Sequence, residues 1–77
     1  MPKGVFNWTF SDVTDLLKEH GFRLNHIRGS HCFYVGYVAG KARQVCVPKH
    51  GNESFKPRTL KGMIEQSGLS KDVWGLS

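Results

Sequence analysis

Between residues 22 and 48 the chain offers three strand-forming runs whose connections are too short to hold anything but turns. The run over 22–28 stops at Gly29-Ser30. The run over 31–38 is dense in aromatic and β-branched residues, and Ala39-Gly40-Lys41 separates it from a third run over 42–48. Such strands must pair antiparallel, because a parallel pair needs a long crossover. A three-residue loop would set Val38 opposite Ala42, Phe33 opposite Val47 and Val35 opposite Val45. Both of the last two pairs are apolar and share a face, so this register predicts a core around Phe33 and Val35 with Tyr34 on the other side. In the first run, Phe22 and Leu24 fall on one face and Arg23 and Asn25 on the other.

Helical patterns flank the strands. Thr9-Phe10-Ser11-Asp12 has the form of a capping box, and Val13, Leu16, Leu17 and His20 then recur at helical spacing, which predicts a helix over 11–20. Asp12 and Asp15 suit the positive end of its dipole and Lys18 the other, while Gly21 is a natural stop. After a polar loop over 49–58, Thr59 is expected to cap a second helix carrying Leu60, Met63 and Ile64. Ser67-Gly68 should end it, Leu69 should fold back on its last turn, and Ser70 should open one further turn bearing Val73 and Trp74. Gly62 within the helix costs about 1 kcal/mol relative to alanine and is expected to mark close packing on the sheet. The predicted class is α+β in the order α-β-β-β-α: a three-stranded antiparallel sheet with two helices on one face. The other face, or an edge, is left for a partner.

Seventy-seven residues make one domain, 1–77, with a core that buries only roughly 60% of the unfolded chain's surface. The charge limits what that domain meets. The chain carries a net +5, unevenly spread: Arg23, Arg28, Lys41, Arg43, Lys49, Lys56, Arg58 and Lys61 face a single acid, Glu53, between residues 21 and 61. A basic surface of this kind releases counterions on meeting a polyanion, which favours nucleic acid. The start of the chain lacks the apolar core of a signal peptide, and no apolar run approaches the roughly 20 residues that span a bilayer, so a cytoplasmic protein without membrane contact is expected. Cys32 and Cys46 read as reduced residues of the strands rather than as a disulfide framework.

Four histidines, His20, His26, His31 and His50, offer proton chemistry near neutral pH. Cleaving an RNA phosphodiester requires a proton to leave a 2′-hydroxyl and another to reach the departing 5′-oxygen. A histidine among cations can do either without metal, while the cations steady the developing phosphate charge. His31 is best placed, directly after Arg28-Gly29-Ser30 at a turn. Gly29 admits positive φ, neighbouring amides can form an anion nest, and Ser30 adds a donor. His50 and Lys49 follow Val47-Pro48 at the end of the third strand, and the hairpin brings that end beside the start of the second. His20 reads as a helix-end residue and His26 as an ordinary strand residue. No C-x-x-C, H-x-x-x-H or dense carboxylate cluster suggests a metal, and no phosphate-cradling glycine loop or cofactor motif is present. Tyr34 is the aromatic expected to be free for a base.

Gly21-Phe22, Arg28-Gly29-Ser30-His31, Val47-Pro48-Lys49-His50, Thr59-Leu60-Lys61 with Ile64, and Gly68-Leu69-Ser70 together resemble the HicA family of mRNA interferase toxins, over roughly residues 13–74. The resemblance implies a fold similar to the double-stranded-RNA-binding domain, metal-independent cleavage of mRNA with His31 essential, no cofactor, and a HicB-type antitoxin that covers the active face. Cys32 stands where many members have a second histidine or another polar residue, and Arg58 where a glycine often precedes Thr-Leu. The expected site is His31 as catalyst, with Arg28, Gly29, Ser30, Lys49, His50, Arg58 and Lys61 against the RNA and His50 as candidate second proton-transfer group. The rival is a non-catalytic RNA-binding module of the same fold; a protein-interaction domain that never touches RNA is a third.

Overall fold

The computed structural model describes residues 7–76. Its elements run α1 (Phe10–Glu19), β1 (Arg23–Arg28), β2 (His31–Val38), β3 (Lys41–Pro48), α2 (Pro57–Ser67) and a closing 3-10 turn, Lys71–Trp74. The sheet is antiparallel in the order β1-β2-β3. Both helices cover one face, as the patterning requires.

The capping box forms as expected. The Asp12 amide donates to Thr9 Oγ1 (3.3 Å), and the Thr9 amide donates back to the Asp12 carboxylate (3.0 Å). Val13, Leu16 and Leu17 are buried, and Gly21 takes the positive φ that turns the chain into β1.

The hairpin register differs from the expected one by a single residue. Ala39 and Gly40 both adopt positive φ (52° and 79°), so the β2–β3 connection is a two-residue turn that pairs Val38 with Lys41. Two such residues in succession match the twist of the flanking strands. A one-residue slip exchanges the faces: Cys32 pairs with Val47 and Tyr34 with Val45 on the covered side, while Phe33 pairs with Cys46 on the other. Cys32, Tyr34, Val45 and Val47 are therefore core, and Phe33 and Val35 are only half-buried on the open face. Cys32 and Cys46 are free, on opposite faces.

β1 departs too. Its register shifts between Leu24 and His26, leaving Asn25 as a bulge. Phe22 is buried, its ring filling the space where Gly36 has no side chain. Leu24 and Ile27 lie on the helix side yet remain 46% and 50% exposed, because the helices sit over β3 and leave this edge uncovered.

α2 begins two residues earlier than Thr59. Pro57 presets the helical φ of the first position, and Lys56 before it is held extended, which makes Lys56 the cap; its side chain makes no capping bond. Gly68 ends α2 with φ 71°, and the Arg43 side chain occupies the place of its missing Cβ. α2 thus runs back along β3, starting at the Pro48 end and finishing at the Arg43 end. Gly62 is exposed with open space around it, so it marks no close packing. Trp74 is fully buried against Trp8 (centroids 5.3 Å), and Leu69 and Val73 pack on the same core.

Candidate functional site

His31 opens β2. It pairs with Arg28 across the two-residue turn Gly29-Ser30 and with Pro48 on the other side. Gly29 has φ 58°, a conformation that disfavours any residue with a Cβ. One residue beyond Pro48, the Lys49 amide donates to the Ser30 carbonyl (2.6 Å). The turn carrying Ser30 and the segment carrying Lys49 and His50 are thereby tied at the same end of the sheet. Arg28, Ser30, His31 and Lys49 are all exposed there.

His50 stands on a pinned loop. The Phe55 amide donates to the Trp8 carbonyl (2.7 Å), Thr9 bridges to Ser54, and the Phe55 ring is buried in the core. The His50 ring stacks on that anchored ring (centroids 5.3 Å, interplanar 23°). Glu53 Oε2 lies 3.7 Å from His50 Nε2, and the Glu53 amide reaches the His50 carbonyl (3.3 Å). The imidazole is thus held on two sides and leaves 40% of its side-chain surface open.

Arg58 and Lys61 lie in the first turns of α2, which starts at this same end. Its first turn holds no acid, and with Lys56 as cap the helix concentrates cations where its dipole is already positive. That arrangement opposes helix stability and favours an anion. Among the described residues no group of three or more His, Cys, Asp or Glu could hold a metal ion, and no helix is long and apolar enough to cross a membrane.

Two aromatic assignments change. Tyr34, expected to be free, is core, whereas Phe33 and Tyr37 face out. His26, read as an ordinary strand residue, lies flat on Phe33 (centroids 4.4 Å, interplanar 10°). The bulge that turns it there is not legible in a pattern of alternating residues. Cys46 is a poor nucleophile: burial, then the neighbouring Cys32, pushes its thiol above the ordinary pKa, so it stays protonated near neutral pH.

Fold and site together define a small basic α+β domain with an open histidine among cations at one end of its sheet. Over residues 10–69 the chain matches the family described as the HicA toxin of bacterial toxin–antitoxin systems, and it belongs to that family. No curated protein and no solved structure matches it.

Proposed function

We propose that the chain is a metal-independent endoribonuclease that cleaves mRNA, with His31 as its proton-transfer catalyst. Membership of a toxin family supports the biological role. The observation that carries the chemistry is the sheet end itself, where His31 lies between Arg28 and the Lys49-His50 segment bonded to Ser30. Arg28, Lys49 and the Gly29-Ser30 amides take the scissile phosphate. Arg58 and Lys61 hold the backbone further along.

His31 and His50 divide the two proton transfers, one taking the 2′-hydroxyl proton and the other delivering a proton to the 5′-oxygen. The 2′-oxygen bonds to phosphorus as the bond to the 5′-oxygen breaks, leaving a cyclic phosphate and a 5′-hydroxyl end. A HicB-type antitoxin silences the toxin by covering this end and the open face.

Incubating the purified chain with a long RNA in EDTA, beside a His31→Ala control, tests the reading. Cleavage by the native chain alone, with 5′-hydroxyl ends, is expected. No cleavage by either, with salt-sensitive binding by both, leaves an RNA-binding module instead.

A further inference from the structure

The open face of the sheet carries side chains that neither folding nor the chemistry at His31 explains. Ladder rows across it run from Arg28 and His31, through His26 and Phe33, past Arg23, to Tyr37. His31 and Tyr37 are six residues apart on one strand, about 20 Å. His26 belongs to this face only through the bulge. In a regular strand it would share the face of Leu24, and the extra residue Asn25 turns it over. Asn25 Nδ2 then sits 2.9 Å from His26 Nδ1 and steadies the ring on Phe33. At the far end Tyr37 is 74% exposed, beside a depression of about 340 Å³ that Arg23 also lines.

The charge of this layer has one sign. Residues 21–52, which include the whole sheet and both its turns, contain no Asp or Glu; Arg23 and Arg28 stand on the open face with Lys49 just past its end, while Lys41 and Arg43 pair on the helix side.

We propose that the open face is a track for single-stranded RNA. Unpaired bases stack on the His26–Phe33 pair and on Tyr37, Arg23 holds the phosphate between these two platforms, and the strand is led past Arg28 to His31. The track rests on the endoribonuclease reading and adds the substrate's strandedness and the footprint that selects it. A duplex keeps its base faces hidden and is recognised by shape across its minor groove. Aromatic rings standing on a sheet are of use only to bases that are splayed out.

The test uses the full chain with His31→Ala, so that RNA is bound and not consumed. Anisotropy titrations with a labelled single-stranded oligoribonucleotide compare this protein with versions that also carry Tyr37→Ala, Arg23→Ala or Lys18→Ala. Tyr37→Ala should weaken binding about tenfold. Arg23→Ala should weaken it and lower the salt slope by about one ion. Lys18→Ala removes the same charge from α1, on the other side of the molecule, and should change affinity less than about twofold. A duplex of the same sequence should bind more weakly and ignore Tyr37.

Equal losses for duplex and single strand would overturn the track. So would intact RNA binding by Tyr37→Ala; loss of the antitoxin in that variant would then leave the face to the antitoxin alone. Turnover separates the track from the reading beneath it. With native His31, Tyr37→Ala should raise KM about tenfold and keep kcat. A native chain that cleaves with KM unmoved by Tyr37→Ala overturns the track and keeps the nuclease. A native chain that never cleaves, yet whose single-strand binding needs Tyr37, overturns the nuclease and keeps the track.

Discussion

On one side of the sheet, Cys32, Tyr34, Val45 and Val47 disappear beneath two helices; on the other, His31, Phe33 and Tyr37 belong to the same strands and the same ladder and lie on a face that no helix covers. Alternation along a strand makes such a division free of topology: each residue's neighbours two positions away share its surroundings, and its immediate neighbours do not. A substitution beneath the helices is felt as packing. On the open side a residue can be chosen for what it binds, because little of the core depends on it.

Substitutions on the two sides should therefore fail in different assays. The largest effect is expected on the open side, where His31→Ala should reduce RNA cleavage by about 10²–10⁴-fold or more while the melting temperature stays within a degree or two, measured by gel assay and thermal melt. A loss of cleavage that tracks a loss of fold would erase the contrast. Next comes Leu60→Ala on the covered side. It should cost about 2–5 kcal/mol by denaturant unfolding, a large part of the stability of a domain this small, with activity per folded molecule preserved. Thr9→Ala removes the capping oxygen of α1 and should cost about 1 kcal/mol. The smallest effect bears on what assigns the faces. Ala39→Asn places a residue tolerant of positive φ in the turn and should stabilise by about 0.5–1 kcal/mol. Destabilisation there would argue against the two-residue turn and the register it sets.

α1 was legible because its signal is local. A capping box, a helical run of apolar residues and a terminal glycine lie within thirteen residues and contact one another. The hairpin was harder because both alternations through β2 carry apolar side chains. The choice between them rested on whether the turn holds two residues or three, and the turn conformation of Ala39 decided it. The start of α2 is hard to read because Thr59 has the look of a cap, while Pro57 fixes the helix earlier by geometry.

The grouping of Arg28, Ser30 and His31 with Lys49 is independent of the hairpin register. A slip of one residue reverses faces but moves strand ends by only about 3.3 Å, so segments leaving those ends remain neighbours. His26 could not be placed by periodicity at all. A bulge is a break in the period, and its sequence leaves no repeat to read.

The uncovered edge of the sheet has a consequence for how the molecule behaves in a crowd. β1 is exposed along its whole length, and beside its unpaired amides and carbonyls it shows Leu24 and Ile27. An edge like this is a template on which a second strand can crystallise, the first step of sheet-to-sheet aggregation. Arg23 and Arg28 bracket the strand so that two copies approaching edge to edge bring like charges together, and the bulge at Asn25 spoils the flat ladder that a docking strand would need. Two guanidinium groups and one irregular residue therefore guard this edge. The electrostatic half of that protection fades as salt shortens the reach of the charges to about 3 Å at 1 M, leaving the bulge to guard the edge alone.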